Sequence, residues 1–90
     1  MPPRLSHTVY ILECADGTLY AGCTTDIQKR LREHNAGQKG AKYTRARRPV
    51  GLVYQERCPT LAAGRTREAA IKRLTRQEKL KLIAMKKQPR

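Results

Sequence analysis

The chain has 90 residues, with 20 Lys or Arg against 7 Asp or Glu, which gives a formal net charge of +13 at pH 7. Its apolar stretches are far shorter than the ~20 residues that span a bilayer, and no apolar leader follows Met1, which argues against membrane and exported proteins. Three cysteines without C-x-x-C spacing argue against a disulfide framework or a zinc ribbon. We expect a single cytoplasmic domain over residues 1–90, with a core at about 6–84 and a frayed tail at 85–90.

The first two predicted elements are strands joined by the turn Ala15-Asp16-Gly17, because both flanking runs are rich in β-branched and aromatic residues. A two-residue turn would place Tyr10 and Tyr20 on opposite faces of the hairpin. A three-residue loop with its glycine in the left-handed region instead pairs Leu12 with Tyr20 and Tyr10 with Gly22. We predict the three-residue loop, which puts both phenols on one face, roughly 7 Å apart.

A helix is predicted next, because Thr25-x-x-Gln28 has the form of a capping box and Gly37 is a natural helix stop. Arg30 and His34 are four residues apart and therefore lie on one side of this helix. They form a stripe beside Ile27 and Leu31, which we expect to point into the core.

A strongly basic segment follows at residues 38–49, and no acidic residue occurs between His34 and Gln55. Its glycine and proline predict an exposed loop that can follow a phosphate backbone. A solvated loop without a specific role, or the basic surface of a ribosome-associated protein, would have the same composition. The candidate nucleic-acid-binding residues of this segment are Lys39, Lys42, Tyr43, Arg45, Arg47 and Arg48.

The last part of the chain predicts a strand over residues 50–56, a helix over 60–74 and a short final helix opened by a second capping box, Thr75-x-x-Glu78. We expect Leu61, Ile71 and Leu74 to form the buried side of the first of these helices, and Leu80, Leu82 and Ile83 that of the second. The element order β-β-α-β-α-α indicates an α+β fold, a small three-stranded antiparallel sheet flanked by helices.

Several residues together resemble the motifs of the GIY-YIG nuclease superfamily. Tyr10 closes the first motif, Tyr20-Ala21-Gly22 follows ten residues later, Arg30 and His34 lie on the next helix, and Glu68 lies on a later one. The resemblance covers nearly the whole chain and is closest to the small single-domain bacterial members. It implies a metal-dependent endonuclease that hydrolyses phosphodiester bonds.

The resemblance also implies roles for five residues. Glu68 would be the one protein ligand of a hydrated Mg²⁺ or Mn²⁺ ion, one per site. Arg30 would bind the scissile phosphate through two hydrogen bonds from its guanidinium group. One of the two motif tyrosines would act as the general base or orient the water, and we favour Tyr10, with Tyr20 holding the water network. His34 would assist proton transfer or contact the phosphate.

Each of these roles has a simpler alternative. Glu68 has the spacing of an ordinary ion pair with Lys72, and Arg30 could be one more solvated charge in the basic run of residues 29–32. His34 could be a surface residue, and the tyrosines could be core residues with satisfied hydroxyls. The sequence also departs from the family, because Thr8-Val9 replaces Gly-Ile, Ala21 replaces Ile, and a late Asn has no counterpart near residues 80–90.

Three functions therefore remain open. The first is an endonuclease selective for DNA shape, acting as a monomer on branched, flapped or single-stranded DNA, with RNA also open as a substrate. The second is a nucleic-acid-binding protein that has kept the nuclease fold without catalysis. The third is an adaptor whose basic loop binds a protein or RNA partner. The +13 charge suits the first two equally, so it does not distinguish them.

Overall fold

The computed structural model describes residues 7–37 and 39–87. It confirms the predicted α+β fold, with a three-stranded antiparallel sheet and the predicted order of long elements. One element was not predicted, a four-residue helix inside the basic segment that we expected to be a loop. The elements are β1 (His7–Glu13), β2 (Leu19–Thr24), α1 (Ile27–Asn35), α2 (Lys42–Arg45), β3 (Gly51–Cys58), α3 (Leu61–Lys72) and α4 (Arg76–Lys87).

The first hairpin has the predicted three-residue loop. The Cys14 N–H donates to the Thr18 carbonyl at 2.8 Å, and Gly17 has a φ of 85°, the left-handed value that such a loop needs at its last position. The register therefore pairs Tyr10 with Gly22, as expected. Strand β1 lies in the centre of the sheet, in the order β2-β1-β3.

Helices cover both faces of the central strand, so its alternating side chains enter two separate clusters. Val9 and Ile11 pack on one face with residues of α3 and α4, chiefly Ile71 and Ile83. The opposite face carries the second cluster, which consists of Tyr10, Leu12, Cys14 and Val50. Helix α1 covers this cluster through two half-buried residues, Ile27 and Leu31. Tyr10 is therefore held in a rigid, two-sided core rather than at a sheet edge.

The helix starts partly follow the predicted capping boxes. The second box forms as predicted, because the Thr75 N–H donates to Glu78 Oε1 at 2.8 Å and the Glu78 N–H donates to Thr75 Oγ1 at 3.1 Å. The first prediction was one residue off. The N-cap of α1 is Asp26, whose Oδ1 accepts from the Lys29 N–H at 3.1 Å, so the carboxylate takes the position expected for Thr25.

Some predictions about the last two helices were wrong. Leu61 and Leu80 are 44% and 42% exposed, whereas Ile71 and Ile83 are the residues of these helices buried against the sheet. Helix α4 continues to Lys87, so residues 85–87 are helical where a frayed tail was expected. The rest of that tail, residues 88–90, and the predicted core start at residue 6 lie outside the described residues. In the described ranges no helix is long and apolar enough to cross a bilayer.

Candidate active site

The centre of the site is a hydrogen bond between two of the predicted catalytic residues. Tyr10 Oη lies 2.9 Å from His34 Nε2, and their rings meet edge-on, with centroids 5.9 Å apart. Tyr10 comes from the middle of β1 and His34 from the last turn of α1. Both side chains are buried, at 2% and 0% exposure. The alternative that His34 is a surface residue is therefore wrong.

The second ring nitrogen of His34 determines its tautomer. Thr44 Oγ1 lies 2.9 Å from the Ala41 carbonyl oxygen, which has no hydrogen, so the hydroxyl must donate to that carbonyl. The same Oγ1 lies 2.8 Å from His34 Nδ1, so it can only accept there, and Nδ1 carries the proton. Nε2 of the neutral ring is then an acceptor, and the Tyr10 hydroxyl donates to it.

The electrostatics agree with a neutral imidazole. Burial, followed by the positive charge of Arg30, lowers the pKa of His34 to about 4. Burial likewise raises the pKa of Tyr10 to about 12, although the nearby Arg30 guanidinium acts in the opposite direction. The phenol is therefore fully protonated at neutral pH. Tyr10 can accept a proton from water only if its own proton passes on to His34.

Thr44 reaches His34 because its segment packs tightly against the end of α1. A Cβ on Gly40 would lie 2.8 Å from the Cα of His34, so only glycine allows this approach. Arg48 then caps α1, since its Nε donates to the His34 carbonyl at 2.7 Å and its Nη2 donates to the Gly37 carbonyl at 2.8 Å. Sequence analysis missed these roles of Thr44 and Gly40, whose only signal was a small and a polar residue within a basic run.

Arg30 lies beside this hydrogen-bonded chain, on the exposed side of α1. Its Nη1 donates to Glu33 Oε1 and to the Lys39 carbonyl, both at 2.9 Å. Neither bond uses Nε or Nη2, and the guanidinium also interacts with the Tyr10 hydroxyl, so it is held between the buried pair and solvent. The side chain is 29% exposed, which suits contact with a ligand from solvent.

Tyr20 links the buried pair to the basic segment. Its ring meets the His34 ring edge-on, with centroids 5.4 Å apart, and it stacks on the Tyr43 ring at 5.7 Å. The Arg47 guanidinium lies 3.9 Å from the centroid of the Tyr43 ring. Tyr43 therefore already has two partners against its ring.

The basic segment is more ordered than the exposed loop that we predicted. Lys39, Lys42 and Arg45 are exposed, as expected for nucleic-acid contact. Arg47 is half-buried, with its Nε 3.1 Å from Asp16 Oδ2, and the Arg48 side chain is engaged at the end of α1. These two guanidinium groups bind carboxylate and backbone oxygens of the hairpin turn and of the end of α1, which holds the segment against both.

Glu68 lies near the tyrosines but not within a cluster of acidic residues. Its negative charge contributes to the raised pKa values of Tyr10 and Cys23, for which burial is the main cause. Gly64, one turn earlier, lets α3 approach β2 closely, because a Cβ there would lie 2.9 Å from Cys23 Sγ. Glu68 Oε2 accepts from Lys72 Nζ at 2.9 Å, so the ion pair considered as the alternative is present.

The donor set around Glu68 fits one kind of metal site. Over residues 7–37 and 39–87, no three His, Cys, Asp or Glu side chains are grouped to hold an ion. That excludes a closed protein cage within this part of the chain. A single carboxylate suits Mg²⁺, which keeps most of its waters and is completed by substrate phosphates.

Comparisons with known proteins identify the family of this chain. The sequence profile of the GIY-YIG catalytic domain matches residues 6–81. A UPF0213 protein of Syntrophus aciditrophicus is 59% identical over 75 residues, which cover 83% of this chain and 86% of the relative. A UPF0213 protein of Streptococcus sanguinis is also 59% identical over 75 residues, which cover 83% of this chain and 85% of that relative. The solution structure of a UPF0213 protein from Bacillus halodurans superimposes with a TM-score of 0.60 at 44% identity, covering 93% of this chain and 88% of that one.

Proposed function

This chain belongs to the GIY-YIG family, and from that membership we propose that it is an endonuclease that hydrolyses phosphodiester bonds of DNA with the help of Mg²⁺ or Mn²⁺. The observation that carries the proposal is the buried hydrogen bond from the Tyr10 hydroxyl to His34 Nε2, beside Arg30. A phenol fixed on a neutral imidazole is a proton relay, and its position next to a partly exposed guanidinium suits a phosphate substrate.

In this mechanism the attacking water loses its proton to Tyr10 Oη while the Tyr10 proton moves to His34 Nε2. The water oxygen forms a bond to phosphorus, the bond from phosphorus to the leaving strand oxygen breaks, and that oxygen takes a proton from solvent. The Nδ1 proton stays on the His34 ring and remains hydrogen-bonded to Thr44 Oγ1. The imidazolium that forms is therefore held in a fixed orientation.

Substrate binding at Arg30 would make His34 a better proton acceptor in this relay. Its positive charge is one cause of the low pKa of His34, after burial. A phosphate bound at the guanidinium would offset that charge, so the pKa of His34 rises when the substrate is in place. The imidazole then becomes a better proton acceptor at the stage when the water must be deprotonated.

Glu68 is the residue that would hold the metal ion. When bound, a divalent ion supplies charge neutralisation at the phosphate and the leaving oxygen. The Lys72 ammonium, 2.9 Å from Glu68 Oε2, would compete for this carboxylate. Lys72 therefore keeps the carboxylate paired until metal and phosphate arrive.

The substrate that we propose is recognised by shape. Lys39, Lys42 and Arg45 are exposed beside the site and can pair with backbone phosphates, which carry no sequence information. A domain of 90 residues has little surface left for base contacts. We propose a monomer that acts in the cytoplasm on flapped, branched or single-stranded DNA.

A second function, nucleic-acid binding without catalysis, has one observation in its favour. Glu68 is already paired with Lys72, and the described residues offer no further carboxylate or imidazole cluster for a metal. The +13 charge would serve binding alone equally well.

Cleavage assays separate the two functions. Labelled duplex, single-stranded, flapped and branched DNA, and single-stranded RNA, would be incubated with Mg²⁺, Mn²⁺ or chelator. The wild type would be compared with Glu68→Gln and Arg30→Ala, which also expose any contaminating nuclease. Metal-dependent cutting that both variants lose supports the endonuclease. Salt-dependent binding by all three proteins, without cutting of any substrate, identifies a binding protein.

A further inference from the structure

A small basic cleft lies outside the active site, where the β1–β2 turn, α2 and α4 meet. Its volume is about 210 Å³, enough for a phosphate group with its waters but too small for a base pair. None of the side chains that line it is acidic, whereas two are cationic. The lining residues are Thr18, Leu19, Tyr43, Arg76 and Lys79.

The two cations come from the start of α4 and point to one side of it, since they are three residues apart. Arg76 Nη1 donates to the Gly17 carbonyl at 2.8 Å, a contact between residues 59 positions apart. This bond anchors the guanidinium at the hairpin turn. Arg76 is thus held in place, which lowers the entropy lost when it binds an anion.

The cleft is connected to the active site through aromatic rings. Tyr43 lines the cleft and stacks on Tyr20 at 5.7 Å, and Tyr20 in turn meets His34 at 5.4 Å. Tyr43 is 37% exposed, so part of its ring remains open toward the cleft. A polynucleotide strand that follows the accessible edges of Tyr20 and Tyr43 would pass from the surface beside the catalytic pair to Arg76.

We propose that this cleft binds a backbone phosphate of the strand that is cut, close to the cleaved bond. Arg76 and Lys79 pair with the phosphate oxygens, and the exposed edge of the Tyr43 ring contacts the adjoining sugar. This inference rests on the proposed function, because it takes a nucleic-acid strand as the ligand. It adds the exposed side of α4, to which the proposed function gives no role, to the substrate-binding surface.

The test measures binding of a labelled single-stranded oligonucleotide by fluorescence anisotropy, in chelator, over a range of salt concentrations. Arg76→Gln/Lys79→Gln is compared with Lys81→Gln/Lys86→Gln, which removes the same charge from α4 outside the cleft. We expect the first variant to reduce the magnitude of the salt slope by about 0.7, the value for one lost phosphate contact on a single strand. The second should leave the slope near that of the wild type.

A neutral methylphosphonate placed at single positions along a cleavable substrate locates the contact. The wild type should lose affinity at each contacted phosphate, and Arg76→Gln/Lys79→Gln should be insensitive at one of these positions, beside the cleaved bond. Lys79→Gln alone provides the same comparison if loss of the Arg76 bond to Gly17 lowers the melting temperature.

The outcomes separate this inference from the proposed function. Equal losses of binding in both double variants would overturn the cleft as a site, while the endonuclease would stand if the wild type still cuts. If the wild type binds without cutting, the endonuclease fails, and a loss confined to the cleft variant still supports the phosphate site. A wild type that binds no nucleic acid overturns both.

Discussion

The phenol ring of Tyr10 occupies the space where Gly22 would carry a side chain. The two residues are paired across β1 and β2, and a Cβ on Gly22 would lie 2.6 Å from Tyr10 Cζ. Real Cβ atoms do not approach other atoms this closely, so the glycine is required by the ring. The second motif therefore has a glycine at this position, because Gly22 leaves the room in which the Tyr10 hydroxyl reaches His34.

The first prediction concerns this contact. Gly22→Ala should displace the Tyr10 ring and lower the cleavage rate at least tenfold, with a loss of about 1–3 kcal/mol in the free energy of unfolding from overpacking. Single-turnover cleavage and chemical denaturation measure the two effects. Gly51→Ala is the matched control, because a Cβ there meets nothing within 4 Å. A Gly22→Ala variant that cuts like Gly51→Ala would contradict the prediction.

The second prediction tests the proton relay at its hydroxyl. Tyr10→Phe should keep the fold and lower the single-turnover rate by a factor of about 10² to 10⁴, the usual range for removing a general acid or base. Tyr54→Phe removes the other buried tyrosine hydroxyl, which donates to Glu56 Oε1 at 2.7 Å in the opposite cluster. That control should cost only about 1 kcal/mol of stability and leave the rate unchanged. Similar rates in the two variants would exclude the relay.

The third prediction assigns a positioning role to Thr44. Thr44→Val removes the oxygen that accepts from His34 Nδ1, so the ring loses its preference for the Nδ1–H tautomer. We expect a lower cleavage rate and a changed pattern of imidazole ¹⁵N chemical shifts. Thr44→Ser keeps the hydroxyl and should restore both. If the valine variant loses activity with the ¹⁵N pattern intact, Thr44 acts through packing alone.

The fourth prediction follows from the buried imidazole. Burial lowers the pKa of His34 to about 4, against about 6.5 in an unfolded chain. The unfolded state therefore binds more protons between these values, so stability is full above pH 6.5 and falls as the pH drops toward 4. The loss should be about 2–3 kcal/mol.

Chemical denaturation from pH 7 to pH 4 measures this loss. His34→Gln does not titrate and should show a flatter curve between pH 6.5 and 4.5. The acidic groups with lowered pKa values, Asp16, Glu33 and Glu56, are present in both proteins and contribute equally. Parallel curves for the two proteins would show that folding does not lower the pKa of His34.

The fifth prediction concerns the cation that competes for Glu68. Lys72→Met removes the ammonium group 2.9 Å from the carboxylate and keeps much of the side-chain volume. The Mg²⁺ concentration for half-maximal cleavage should fall several-fold, because the ion no longer displaces Lys72. Lys81→Met, on α4, is the control for the change in net charge. An unchanged Mg²⁺ requirement would show that Lys72 does not compete with the ion for Glu68.

Local chemistry determined much of the fold from the sequence. The three-residue turn ending at Gly17 fixes the hairpin register, because a left-handed glycine and loop length are properties of a few adjacent residues. The Thr75–Glu78 box likewise forms from residues three apart. The family motifs placed Tyr10, Arg30 and His34 in one region, and the structure brings these three together.

The tertiary structure alone decided the chemistry of the site. Thr44 lies ten residues from His34, and its role depends on how Gly40 and Arg48 fold the basic segment against α1. No periodicity predicts such a contact, since charge and polarity in that run are equally typical of an exposed loop. The tautomer of His34 and the raised pKa of Tyr10 follow from burial and from partners distant in sequence. These long-range contacts are specified by packing, which a local pattern does not contain.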